Sequence, residues 1–328
     1  MAPKLRWTDY QGRETVKKIV KTLIPQWCTG LYSYQEDIVL RVLDGQDVLC
    51  CVSTGGGKSA MFAVPIIVMR EMARNPHLYP ALPTRVRPVG IVITPTKGLA
   101  GNILEDLSVP AFTYCHETVT DARKNKLNLS WRQIVASDTF RANVVYGCID
   151  EVHLVNEWGE SFRPQFKHIG AFLRGRLPSS VSIMGLSATL QPGTETNSIC
   201  RSLGFFGDSY YLLRLSNERP NTQFIMEPLE NGVGGTEFPQ LLRYLNSGRK
   251  GIIHCFAIDD VFRIFMYLWN SIPESLDRLR RIKTYHSIHS LDDNKETLRL
   301  LEEDPLCQVV IATGIGNPRL KIGYCISQ

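Results

Sequence analysis

The sequence predicts an α/β protein built from two domains with mostly parallel sheets. Short β-branched runs recur along it (QDVLCCV, GIVIT, ANVVYGCI, VSIMGL, then GIIHCF and CQVVIAT), and helix-patterned stretches separate them. Such alternation marks buried parallel strands joined by crossover helices. Four of the runs precede about residue 190 and two follow about residue 250, with the polar, turn-rich segment SNERPNTQFIMEPLENGVGG between the groups. A chain of 328 residues also exceeds the usual size of one hydrophobic core. The expected division is an N-terminal extension over 1–29, a first domain over 30–215, a linker over 216–236 and a second, incomplete domain over 237–328.

In chain order, the first strand covers Asp47 to Val52 and a helix begins over Lys58 to Ala63, which Pro65 should end or kink after about two turns. Pro80, Pro83 and Pro88 mark a loop before GIVIT, and Val144 to Ile149 form a further strand. Asp259-Asp260 reads as a helix N-cap and first turn. Cys50, Cys51, Cys148 and Cys255 lie in apolar strands and behave as small core residues. His254, His286 and His289 have no ligand spacing and read as structural.

Composition bounds the function classes. The net charge of +5 permits a polyanionic partner without demanding one. Nine cysteines without a C-x-x-C pair argue against a disulfide framework and a zinc site. The N-terminus lacks a signal-peptide core, and the longest apolar run, MFAVPIIVM, is too short to span a bilayer, so a soluble intracellular protein with no membrane partner is expected.

The stretch VSTGGGKSAMF, Val52 to Phe62, follows a strand and opens a helix. Glycines in that context let successive backbone N–H groups turn onto an anion, and the helix N-terminus adds its dipole. Thr54, Gly55, Gly56, Gly57, Lys58 and Ser59 are therefore the candidate nucleotide-phosphate residues, with Lys58 neutralising phosphate and Ser59 coordinating Mg²⁺. Val52 departs from the strict pattern, which has Gly or Ala there. A second signal, Asp150-Glu151-Val152-His153, ends the Val144 to Ile149 strand. Asp150 can hold Mg²⁺ through water, and Glu151 can orient and deprotonate an attacking water. The two signals together read as ATP or GTP hydrolysis.

These residues resemble the superfamily 2 helicases, and within them the RecQ-type DNA helicases. The phosphate loop and D-E-V-H are similar to the family's loop and D-E-A-H box, and Gln35 in LYSYQ to its adenine-recognising glutamine, although the usual upstream Phe-Arg pair is replaced by Leu31 and Tyr32. Thr94, Pro95 and Thr96 resemble the segment that grips single-stranded backbone, and Ser187-Ala188-Thr189 the motif coupling hydrolysis to domain movement. His153 joins Ser187 and Thr189 in that coupling role. The aromatic-rich loop W-G-x-x-F-R-P is matched by Trp158, Gly159, Phe162, Arg163 and Pro164; aromatic faces stack bases and Arg163 offers charge to phosphate. Arg219-Pro220-Asn221 is similar to a junction motif, and Tyr285-His286-Ser287 to a second-domain segment. The resemblance covers about residues 30–313. It implies two RecA-like P-loop NTPase domains with ATP and Mg²⁺ in the cleft between them. It further implies 3′ to 5′ DNA unwinding in repair or recombination, DNA as single strand or duplex, and nuclear residence.

The pattern also departs from the family. Residues 103–149 carry no T-P-E type segment, the chain after Thr313 reads GIGNPRLKIGYCISQ, and the motif with the arginine finger is missing. A finger is worth about 10³ to 10⁵ in rate in related nucleotidases. A truncated second domain is the expectation. The alternatives are a non-catalytic ATP- and nucleic-acid-binding helicase fragment, a P-loop phosphotransferase, or an RNA helicase of the same superfamily.

Overall fold

The computed structural model describes residues 5–94, 109–110, 131–156, 168–218, 223, 225, 230–232, 234–245, 248–274, 276–313 and 323–326. The chain divides into two compact units, Met1–Thr222 and Gln223–Gln328.

The first unit opens with helices α1 (Tyr10–Leu23) and α2 (Ser33–Leu43), followed by strand β1 (Asp47–Cys51) and helix α3 (Lys58–Arg74). Then come β2 (Val89–Ile93), β3 (Val144–Ile149), α4 (Ile169–Arg176), β4 (Ser182–Ser187), α5 (Thr194–Leu203) and β5 (Tyr210–Arg214). The five strands form one parallel sheet in the order β2-β3-β4-β1-β5. Every residue of β3 and β4 is buried, whereas the edge strands β2 and β5 are mostly half-exposed. Alternation along β1 divides the core: Val48 and Cys50 pack with α3, while Leu49 and Cys51 pack on the opposite face with Leu173 of α4 and Ile199 and Leu203 of α5.

Pro65 does not end α3, which runs on to Arg74. Losing one backbone bond and accommodating the ring costs about 3 kcal/mol. Burial of Met61, Phe62, Val64, Ile66, Val68 and Met69 on the same helix outweighs this, at about 1.5–3 kcal/mol for each large apolar side chain.

The second unit holds β6 (Gly251–Cys255), α6 (Ile258–Ser271), β7 (Ile282–Tyr285), α7 (Leu291–Glu303), β8 (Val309–Thr313) and β9 (Gly323–Ile326). Its sheet order is β7-β8-β6-β9, with β9 antiparallel to β6 and the other pairs parallel. Val261, Ile264 and Leu268 of α6 close its core against β6, β7 and β8. Ala257 is the N-cap of α6, so Asp259 and Asp260 both lie in its first turn; the Ala257 amide donates to the Asp260 carboxylate at 3.3 Å. The Asp259 backbone is already helical, which leaves the capping position to its extended neighbour. His286 is buried against His289, their ring centres 4.0 Å apart. Cys50, Cys51, Cys148 and Cys255 are buried free thiols, and no helix among the described residues is long and apolar enough to cross a membrane.

Asp44, at the C-terminal end of α2, fixes the segment that precedes α1. Its buried carboxylate accepts the amides of Trp7 (2.8 Å) and Thr8 (3.0 Å) and the Thr8 hydroxyl (2.7 Å). Trp7 is fully buried beneath this knot and donates its indole N–H to the Pro83 carbonyl at 3.1 Å. Asp44→Ala strands two amides at once and is expected to cost about 2–3 kcal/mol, measurable as a lowered urea midpoint with unchanged slope.

Candidate nucleotide site

Parallel strands deliver their carboxyl ends to one edge of the sheet, where ligands of open α/β sheets bind. In the first unit β1 lies between β4 and β5, with Cys51 paired to Ser187. Three loops leave this edge side by side. Val52 donates its amide to the Ser187 carbonyl (3.0 Å), Val152 to that of Leu186 (2.8 Å), and Asp150 to that of Ile93 (2.9 Å). The glycine loop, the acidic box and the Ser187-Ala188-Thr189 segment are thereby brought together by backbone pairing.

The glycine loop is tightly determined. Gly55 and Gly57 have positive φ (84° and 68°), and Gly57 is the N-cap of α3, so Lys58 and Ser59 begin the helix. A Cβ on Gly56 would lie 2.4 Å from Val52 Cγ1, and one on Gly57 would lie 2.4 Å from Gln35 Nε2. Val52, the departure from the usual pattern, is thus the inner wall on which Gly56 rests. Thr54 and Gly55 face solvent, with open space where a Gly55 side chain would stand. Gln35 is buried at the start of α2; its Oε1 accepts the Tyr32 amide (2.9 Å) and its Nε2 donates to the Gly57 carbonyl (3.1 Å). Beside it the Tyr34 hydroxyl donates to the Gly56 carbonyl at 2.6 Å. Tyr34 was not singled out by sequence reasoning, because only the seating of α2 against the loop brings residues 34 and 56 together.

Lys58 extends its ammonium to the carbonyls of Val52 (3.1 Å) and Ser53 (3.2 Å). Its charge also reaches the acidic box, drawing down both carboxyls there. Burial, then the neighbouring Glu151 charge, pushes the Asp150 carboxyl above its ordinary range, against the pull of the Glu151 amide, Lys58 and His153. Burial likewise pushes Glu151 up. Glu151 is the one non-glycine residue with positive φ (49°) among the described residues, a left-handed turn that aims its side chain back to the site. Its own amide donates to Asp150 at 3.0 Å.

His153 Nδ1 lies 3.0 Å from Ser187 Oγ and 3.4 Å from the Glu151 carboxylate. Ser187 Oγ accepts the amides of Thr189 (3.1 Å) and Leu190 (3.2 Å), so one hydroxyl joins its own loop to the His153 ring. Thr189 itself is exposed. Thr94 follows β2 on the same edge, half-buried. Thr96, Trp158, Phe162, Arg163 and Arg219-Pro220-Asn221 lie outside the described residues.

The donor set fits a nucleotide triphosphate with Mg²⁺. The loop and helix start present backbone N–H groups and an ammonium to phosphate, and the Ser59 hydroxyl and Asp150 carboxylate are hard oxygen ligands. Fold and site together define a phosphate-loop α/β protein with an acidic box at the carboxyl ends of its strands. The chain belongs to the DEAD/DEAH box helicase family, whose model matches residues 32–197. It is 26% identical over 260 residues to the ATP-dependent DNA helicase RecQ of Haemophilus influenzae, covering 72% of this chain and 37% of that protein. It is 25% identical over 319 residues to the RecQ of Pasteurella multocida, covering 89% and 44%. The chain therefore spans less than half the length of these relatives. Among solved structures, the DUF1998 helicase MrfA bound to DNA and AMPPNP superposes with a TM-score of 0.62 at 16% identity, over 92% of this chain and 44% of that one. That likeness identifies the two α/β units as the RecA-like helicase fold.

The raised carboxyls have a stability consequence. A carboxyl that holds its proton more tightly when folded than when unfolded contributes most stability at low pH and loses it as pH rises through the folded value. For Asp150 and Glu151, ionisation in the folded state therefore costs stability, and that cost grows as pH rises through their raised values. Glu151→Gln is expected to raise Tm by about 2 °C at neutral pH, with the gain shrinking as pH falls into the carboxylate range, as followed by thermal melts across pH.

Proposed function

We propose that this chain is the nucleotide-hydrolysing core of a RecQ-type DNA helicase, coupling ATP hydrolysis to 3′ to 5′ translocation on single-stranded DNA and unwinding of duplex. The observation that carries the reading is the meeting of Lys58, Asp150, Glu151 and the His153–Ser187 hydrogen bond at one sheet edge. Lys58 exchanges its two loop carbonyls for phosphate oxygens. Ser59 and Asp150 would hold Mg²⁺, which would supply charge neutralisation on the phosphates. Glu151 orients the attacking water and takes its proton; its burial raises its basicity, and the neighbouring Lys58 charge opposes part of that rise. Gln35 recognises the base, and Thr54, Gly55, Gly56 and Gly57 line the phosphates.

His153, Ser187 and Thr189 carry the state of the site outward. Ser187 spans the acidic box and its own loop, so movement of Glu151 reaches Thr189 through its 3.4 Å contact with His153 and the hydrogen bonds of His153 and Thr189 to Ser187. On the DNA side, Thr94 and Thr96 grip backbone, Trp158 and Phe162 stack bases, and Arg163 meets phosphate. The relatives' names as ATP-dependent DNA helicases, and MrfA solved with DNA, support DNA as the partner. In this reading 30–215 is the ATP-binding domain, 216–236 the linker and 237–328 part of a second motor domain. Work in DNA repair or recombination, and residence in the nucleus where the cell has one, follow from the same resemblance.

The test is ATP hydrolysis by the purified chain with and without single-stranded DNA. Stimulation by DNA is expected, with Glu151→Gln and Lys58→Ala each lowering turnover by about a hundredfold or more while salt-sensitive DNA binding persists. Parental turnover by Glu151→Gln, or hydrolysis indifferent to DNA, overturns the reading. Trp158→Ala should reduce the DNA stimulation while ATP affinity stays at the parental value, measured by titrating DNA and ATP separately.

A further inference from the structure

We propose that Tyr34 is a positioning residue for nucleotide phosphate, acting through the Gly56 carbonyl; the inference rests on the nucleotide reading above. Two adjacent side chains at the start of α2 hold two consecutive carbonyls of the glycine loop. The Tyr34 hydroxyl donates to Gly56 at 2.6 Å, and the Gln35 amide donates to Gly57 at 3.1 Å. A trans peptide is planar, so the carbonyl of one residue and the N–H of the next point in opposite directions. Pinning the Gly56 carbonyl toward α2 therefore aims the Gly57 N–H away from α2, and pinning the Gly57 carbonyl does the same for the Lys58 N–H. Those two N–H groups lead into the first turn of α3, where an anion is favoured.

The loop needs such a clamp. Gly55 and Gly57 occupy conformations that glycine enters freely and leaves freely, so fixing them around an anion costs backbone entropy at the moment of binding. A tether already present in the protein removes part of that cost beforehand. Tyr34 is built for it. Its ring lies parallel to that of Tyr32, 5.7 Å between centres and 5° between planes, and burial pushes its phenol above the ordinary value, so it remains a proton donor throughout the neutral range. The family's motifs assign Gln35 but give Tyr34 no role.

The experiment compares parent, Tyr34→Phe and Lys58→Ala as full chains, titrated with Mg²⁺-ATP, inorganic tripolyphosphate and adenosine in displacement of a fluorescent ATP analogue, with thermal melts alongside. Phe keeps the stacked ring and removes only the hydroxyl. Expected for Tyr34→Phe is a Tm within about 1 °C of the parent and an equal loss of about three- to tenfold in affinity for ATP and tripolyphosphate, the weight of one hydrogen bond, with adenosine unaffected. Parental ATP affinity in Tyr34→Phe while Lys58→Ala loses ATP overturns the inference and spares the nucleotide reading. Equal weakening of all three ligands together with a lowered Tm also overturns it, since Tyr34 would then be supporting the fold alone. Parental ATP affinity in Lys58→Ala removes the nucleotide reading and the inference with it.

Discussion

The site depends on one electrostatic arrangement: two adjacent half-buried carboxyls, Asp150 and Glu151, under the charge of a single ammonium, Lys58. Burial penalises the ionised form of both, the Glu151 charge adds to the cost at Asp150, and Lys58 opposes that cost for both. The ammonium reaches them only because the glycine loop turns it inward, and the loop turns only where glycines accept positive φ. Pairing of the central strand β4 with β1 on one side (Cys51 against Ser187) and β3 on the other (Ile149 against Gly185) brings the loop and the acidic box to the same edge in the first place. The chain of dependence thus runs from sheet register to loop conformation to charge.

Such a site is held together against its own preferences. Glu151 sits in a left-handed backbone conformation, and conformations of this kind cost about 1–3 kcal/mol unless the surroundings enforce them. Here they are enforced by the Val152 amide bonded to Leu186 and by the Asp150 amide bonded to Ile93, which pin the residues on both sides. The rest of the unit compensates: β3 and β4 are buried along their whole lengths, and α3 stays helical through a proline because its apolar surface is almost wholly enclosed.

How much of this was legible in the sequence follows from the same physics. Strands β1, β3, β4, β6 and β8 show as apolar runs because parallel strands inside a sheet are covered on both faces. Tyr210–Arg214 and most of Ile282–Tyr285 escape that reading, since edge strands carry Tyr, Arg, Lys and Thr on half-exposed faces. Within the site, Lys58 and the acidic box are legible because each motif is contiguous and its chemistry is carried by residue type. The Tyr34–Gly56 contact is not, because it spans 22 residues and depends on where α2 is seated. The positive φ of Glu151 is equally hidden, since a glutamate gives no local signal for a left-handed turn.

The hydrogen bonds around Ser187 tie the acidic box to the loop after β4. Its one hydroxyl meets His153, Thr189 and Leu190 at once. His153 Nδ1 also lies 3.4 Å from the Glu151 carboxylate, so the same ring nitrogen faces both the acidic box and Ser187. The acidic box and the loop after β4 therefore share a hydrogen-bonding centre, in addition to the backbone bond from Val152 to Leu186. Hydrogen bonds that share one oxygen hold each other's geometry, so the position of the loop after β4 is tied to that of the acidic box by a single hydroxyl.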